Sequence, residues 1–460
     1  MDLREPPIRS VARWSVSQVT TASAVTPAAV LRLAVPAFLT LVAEPLFLLA
    51  DSAIVGHLGT DALAALGVAS VVLLTAAGVF IFLAYATTAV VARALGAGSP
   101  ARALAAGVDG LWLSLVLGMP TAGLVALFAH LLVRLLGADG IVADLAATYL
   151  RIGAAGIPSL LVISAATGVL RGFRDTRTPL LVATVGFAVN GALNYLLVYP
   201  AGLGIAGSAL GTLIAQTGVA VAFAALVIRR ARHEGARLSF HPASVLAAAR
   251  NGAPLLVRTI ALRAAFLATT WVAAGFGAVA LAAHQVAMNV FNLLAFALDA
   301  LAIAAQALIG HGLGAGAAAE ARRATTLMTR WGGYAGVGLG LITAALAWVL
   351  PLLFTPDPGV RRALTTALLV LALTQPIAGI VFVLDGVLMG AGDSVMLAWL
   401  QVAALAAYLP VLLVVRAAGG GLGAAAALAV VWAALAWFMM ARLLGLVWRA
   451  RTDRWLVTGG

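Results

Sequence analysis

The sequence predicts an all-α polytopic membrane protein, with twelve transmembrane helices in two pseudo-symmetric six-helix lobes around a central cavity. Three observations carry that prediction. Hydrophobic residues make up 63% of the 460-residue chain and charged residues 10%, too little polar surface to cover a soluble globule of this length. Apolar windows of about 20 residues, long enough to cross the hydrocarbon core, recur along the chain. The second half also repeats the first at a constant displacement of 218 residues.

The predicted spans are 33–55, 63–92, 108–132, 145–170, 179–199 and 203–228, then 252–275, 281–310, 325–353, 363–390, 395–415 and 421–447. Residues 1–30 hold arginines and small polar residues but no apolar core beside a cleavage site. They are expected to form a cytoplasmic tail and not a signal peptide. The long polar break at 229–250 is expected to link a lobe of residues 31–228 to a second of residues 251–447, with 448–460 as a further cytoplasmic tail.

All 28 basic residues are arginines, and their positions set the orientation. The N-terminal tail, alternate loops and the C-terminal end hold 21 of them, including Arg93, Arg102, Arg229, Arg230, Arg322 and Arg323. The opposite loops hold Arg134, Arg361, Arg362 and Arg416. The positive-inside rule therefore predicts that both termini are cytoplasmic, and twelve spans fit that, since an even number returns the chain to its starting side. Because the arginines sit in loops between apolar segments, the formal charge of +12 does not predict nucleic-acid binding. Cysteine is absent, which excludes disulfides and thiolate metal sites.

Three matches share the 218-residue register: Gly59 to Ala65 with Gly277 to Ala283, Leu95 to Gly98 with Leu313 to Gly316, and Gly168 to Asp175 with Gly386 to Asp393. A repeat unit of six spans keeps its membrane orientation, so the halves should be related by an axis along the membrane normal, a transporter architecture. The register is most informative where it fails. Asp51 maps to Thr269, Glu44 to Leu262, Asp299 to Ile81 and Asp385 to Thr167, so the halves share a frame but not these acids.

Carboxylates inside a membrane helix are costly, by about 2.5–3.5 kcal/mol for Asp on insertion scales, and usually serve a function. Glu44 and Asp51 lie about two turns apart on one stripe of the first span. Asp51 falls in the external half of the bilayer, some 15 residues beyond Pro36. Asn190 and Asn194, at i and i+4 on the fifth span, reach a similar depth and are expected to share its pocket. In the second half Arg258, Arg263, Asp299 and Asp385 lie at comparable depths and read as an ion-pair network. Glu44 reads as structural or gating, a candidate partner of Arg263 across the lobes. The histidines are scattered, and no metal site is predicted.

Several of these residues together resemble a known family. They are Glu44-Pro-Leu with Asp51, Gly56-His-Leu-Gly59, Leu170-Arg-Gly172 with Asp175, Asn190 with Asn194, and the run from Gly202 to Thr212. The pattern resembles the multidrug and toxic compound extrusion (MATE) family, and Glu44-Pro45 with the segment from Asp385 to Ala391 is similar to its DinF-like branch. The resemblance implies a V-shaped pair of six-helix lobes that exports amphipathic, often cationic compounds in exchange for protons or sodium ions. It places the coupling carboxylate on Asp51 and its polar neighbours on Tyr149, Thr167, Asn190, Asn194 and Thr212. Where the family carries a second Asp on its fifth helix, this chain has Asn194.

The expected function is therefore secondary active efflux at the plasma membrane by a monomer that is not an enzyme. It would use no cofactor beyond the transported proton or sodium ion, and its partners would be membrane lipid and a small amphipathic substrate. The alternative is a flippase for lipids or lipid-linked precursors, which would use Arg151, Arg258 and Arg263 to meet phosphates. A membrane enzyme or an ATP-driven pump lacks support, since no metal-ligand motif, nucleophile elbow or phosphate-binding loop is present.

Overall fold

A computed structural model describes residues 26–459, apart from the side chain of Glu44, whose predicted role therefore lies outside the described residues, as do residues 1–25. Among the described residues there is no strand. The first half holds α1 (Pro27–Gly56), α2 (Thr60–Val79), α3 (Phe82–Gly96), α4 (Pro100–Leu127), α5 (Ala129–Leu135), α6 (Gly140–Ala154), α7 (Ile157–Gly172), α8 (Arg177–Val198) and α9 (Gly204–His233). The second half holds α10 (Pro242–Ala274), α11 (Ala278–Gly314), α12 (Ala318–Leu346), α13 (Leu350–Phe354), α14 (Pro358–Gly390), α15 (Ser394–Ala418) and α16 (Ala424–Arg451).

Local signals place the helix starts. Thr26 accepts from the Ala29 amide at 3.3 Å ahead of Pro27, and Asp357 accepts from the Gly359 amide at 2.6 Å ahead of Pro358. Each start pairs a side-chain cap with a proline in the first turn, where no backbone donor is lost. The repeat also reaches into the loops. Gly59 and Gly277, 218 residues apart, both take positive φ, at 119° and 93°, a conformation glycine adopts without a steric cost. Arg174 (φ 59°) is the one non-glycine with positive φ among the described residues, and its register partner is Gly392 (φ 76°).

Among the described residues ten helical segments are long and apolar enough to cross a membrane, with α2 and α3 counted as one, and the pair α6–α7, bent by 46°, makes an eleventh. Helix α12 and the short α13 cover the predicted span 325–353, but α12 is less apolar, since it carries Glu320, Arg322, Arg323 and Arg330 as well as Gly332, Gly336 and Gly340 four residues apart. Those glycines bring it against α14. An added Cβ would stand 2.5 Å from Gly379 O at Gly332 and 2.6 Å from Ala372 O at Gly340, and at Gly336 it would overlap Gln375 O. Close approach through small residues is how helices associate in lipid. Gly336→Val is therefore expected to cost about 1–3 kcal/mol by forcing the helices apart. A thermal unfolding scan in detergent checks this, and an unchanged midpoint would contradict the packing described.

The predicted linker 229–250 is mostly helical. Helix α9 continues to His233 and α10 begins at Pro242, which leaves residues 234–241 between them. Arginine and alanine are both good helix formers, so the basic run to His233 extends α9 and the alanine-rich stretch 242–250 extends α10. For the same reason α16 runs on to Arg451, past the predicted end at 447.

The core divides by depth. Toward the arginine-rich ends of the helices, one cluster joins both halves, with Leu33, Leu83, Leu301, Ile303, Val387 and Trp455 among its members. Toward the arginine-poor ends the halves have separate cores. One is built on Leu66, Leu150 and Ile205, and the other on Tyr408, Trp432 and Phe438. The two halves are thus packed together at one end of the molecule and independently packed at the other.

Candidate functional site

Asp51 lies two turns beyond Pro45 on α1 and is 3% exposed. Its neighbours come from three other helices. Asn194 Nδ2 of α8 and Ser208 Oγ of α9 each donate to Oδ1 at 2.7 Å, and Tyr149 Oη of α6 donates to Oδ2 at 3.2 Å. Thr212 Oγ1 accepts from Asn190 Nδ2 at 3.0 Å and lies 3.5 Å from Asn194 Nδ2, holding both amides on one face of α8. The sequence makes room for this arrangement at Gly211, where a Cβ would overlap Asn194 Oδ1. A buried carboxylate needs such donors, because an unsatisfied charge in apolar surroundings costs several kcal/mol. Three hydrogen bonds, with no cation among the described residues paired to it, surround Asp51. Two buried acceptors beside it, Asn190 Oδ1 and Asn194 Oδ1, have no protein partner.

A groove of about 270 Å³ between α1 and α8 reaches this cluster, with Asp51 and Asn190 in its lining. Apart from Thr184 its other walls are apolar, and Phe47 and Phe187 stack there with centroids 5.2 Å apart and planes 17° from parallel. The arrangement sets a carboxylate and a stacked aromatic pair along one groove. In the second half the register partners of Asp51 and Asn190 are Thr269 and Tyr408, which share a 2.7 Å hydrogen bond. That pair is neutral.

Thr167 does not join the Asp51 cluster. Its turn of α7 is pressed on α3, where Thr88 Oγ1 donates to Gly168 O at 3.2 Å and a Cβ on Gly168 would stand 2.5 Å from Ala84 O. Ser208 takes part although the sequence reading passed over it. Its position four residues before Thr212, on the same face of α9, was the available signal.

The second-half charges also regroup. Arg258 Nη2 donates to Asp385 Oδ2 at 2.5 Å, and Arg442 Nη2 donates to the same oxygen. Arg442, 3% exposed, falls inside the predicted last span, although it counts among the arginines of the C-terminal end. Arg263 is not part of this cluster. Its Nη2 reaches toward α2, 2.6 Å from where a Cβ on Gly78 would be. Asp299 crosses to the other half, accepting from Tyr85 Oη at 3.0 Å, and Gln306 Nε2 donates to Tyr85 O at 2.6 Å. The flippase alternative required Arg151, Arg258 and Arg263 together at a cavity, and with Arg258 buried against Asp385 it has no such support.

The MatE family model matches residues 36–196 and 254–415, two segments that start 218 residues apart. The chain is 30% identical over 451 residues to Protein DETOXIFICATION 44, chloroplastic, of Arabidopsis thaliana, covering 93% of this chain and 83% of that protein. It is 29% identical over 293 residues to DNA damage-inducible protein F of Escherichia coli strain K12, covering 62% of this chain and 63% of that protein. The solved bent form of the Vibrio cholerae MATE transporter VcmN has the same fold, with a TM-score of 0.83 at 22% identity over 96% of this chain and 99% of that one. The chain belongs to the MATE family, whose members are membrane transporters and not enzymes.

Proposed function

We propose that this transporter exports amphipathic, cationic compounds across the plasma membrane in exchange for protons or sodium ions. It acts as a monomer whose arginine-rich face and both termini are cytoplasmic. The observation that carries this reading is the hydrogen-bonded Asp51 at the end of the Phe47–Phe187 groove. The aromatic pair receives the apolar body of the substrate, and the carboxylate attracts its charge.

The coupling ion competes for the same carboxylate. A proton on Asp51, or a sodium ion held between Asp51 and the free oxygens of Asn190 and Asn194, removes the attraction for substrate and rearranges the donors Tyr149, Asn194 and Ser208. The ion drives transport because it binds the outward-open and inward-open states differently; equal affinity would shift nothing. Asn194 supplies an N–H where the family carries a second carboxylate, so this site has one group to titrate where the family has two.

Uptake of a fluorescent cation into proteoliposomes under separately imposed proton and sodium gradients tests the reading. Accumulation driven by one of the two gradients, and absent without any gradient, is the expected result. Equal accumulation with every gradient collapsed would refute antiport.

A further inference from the structure

We propose that residues 452–459 form a strap that locks the two halves together on the arginine-rich face and must release before that face can open. The strap starts from α16 and is anchored to its own half. Trp455 is 2% exposed in the shared core, with Nε1 donating to Ala450 O at 3.1 Å. Asp453 pairs with Arg322 of α12, and just before the strap Arg449 Nε donates to Asp393 Oδ2 at 2.6 Å.

Its far end holds a residue of the other half. Arg93, in the last turn of α3, donates from Nη2 to Val457 O at 3.0 Å and to Gly459 O at 2.6 Å, and from Nη1 to Ala391 O at 2.6 Å. Ala391 caps the C-terminus of α14, where the helix dipole favours a cation. Gly459 N donates to Leu313 O of α11 at 3.1 Å, which ties the tip of the strap to the same seam. A planar guanidinium thus sits among three carbonyls of the second half, a set of charge-assisted bonds stronger than neutral ones.

The repeat makes this asymmetry visible. The register partner of Arg93 is His311, whose Nε2 has no hydrogen-bond partner. The register partner of the strap is the segment around Arg237 and Leu238, which turns back onto its own half. There Arg237 Nη2 donates to Asp109 at 3.2 Å and to Ser244 Oγ at the start of α10 at 2.9 Å, and Leu238 O accepts from Trp112 Nε1 at 3.1 Å. That segment, the link into α10, packs on α4 of its own half, whereas the strap carries its tip to a residue of the other half.

Ala92 reports on the seam, being fully buried with its Cβ 3.0 Å from the position a Cβ on Gly310 would take. The chain has no cysteine, so Ala92→Cys supplies a lone thiol. The full chain with this thiol is expected to react slowly with a maleimide in detergent. Deletion of 452–460, or Arg93→Gln with the strap intact, should speed labelling roughly tenfold, the bias removed with a charge-assisted hydrogen bond. Arg93→Lys should give an intermediate rate. Labelling unchanged by both the deletion and Arg93→Gln, in protein that stays monodisperse, would overturn the proposal. The strap rests on the transport reading for its consequence, but this readout needs no substrate or gradient, so a failure of the antiport assay leaves it decisive.

Discussion

Asp51→Asn is expected to abolish gradient-driven transport, a loss on the order of 100-fold, at the upper end of coupling energies between two sites. The substitution is close to isosteric. Its amide oxygen still accepts from Asn194 Nδ2 and Ser208 Oγ, and its new N–H faces the Tyr149 hydroxyl, which can accept. Folding should therefore be nearly unaffected while the titratable, cation-attracting group is lost. Proteoliposome flux measured beside a thermal unfolding scan separates the two effects. Full transport by a well-folded variant would remove Asp51 from the mechanism. Ser208→Ala, which takes away one of three donors, should leave partial activity.

Asp385→Asn should have the largest effect on stability, about 3–5 kcal/mol, because removing one partner from a buried ion cluster leaves uncompensated charge. Asp385 is 3% exposed and serves both Arg258 and Arg442 through one oxygen. The Nε atoms of both arginines are buried and already without partners, so neither guanidinium has a second acceptor at that atom to fall back on. Replacing all three residues by apolar ones of similar size should restore most of the loss, since a buried ion cluster and a packed apolar one are often comparable. Fluorescence-detected size-exclusion after heating reads both results. A single variant as stable as the parent would mean that water reaches this cluster.

The fold was largely legible because its signals are long and additive: apolar windows, arginine asymmetry and three matches in one register. Asp51, Asn190 and Asn194 were legible because polar residues inside an apolar span stand out, and helical spacing puts the two amides on one face. What escaped has physical causes. Thr167 had the right residue type, but the close approach of Gly168 to α3 turns that part of α7 away from Asp51. Arg442 was hidden among surface arginines, because a one-dimensional reading cannot tell an arginine beyond the hydrocarbon edge from one buried a turn or two inside it. Phe47 and Phe187 are ordinary membrane residues until α1 and α8 place them 5.2 Å apart.

The glycines where α3 crosses α11 carry a consequence for the history of the chain. A Cβ on Gly96 would overlap His311 O, and one on Gly314 would overlap Arg93 O, so each contact is the other with the halves exchanged. Ala92 meets Gly310, its own register partner, which puts that pair on the axis itself. Reciprocal contacts of this kind are what identical subunits make around a twofold. After duplication and fusion each copy changes alone, but a side chain added at either Gly96 or Gly314 would meet backbone across the seam, whereas a change far from the seam meets only its own copy. Gly96 and Gly314 have accordingly stayed alike, and Asp51 and Thr269 were free to part.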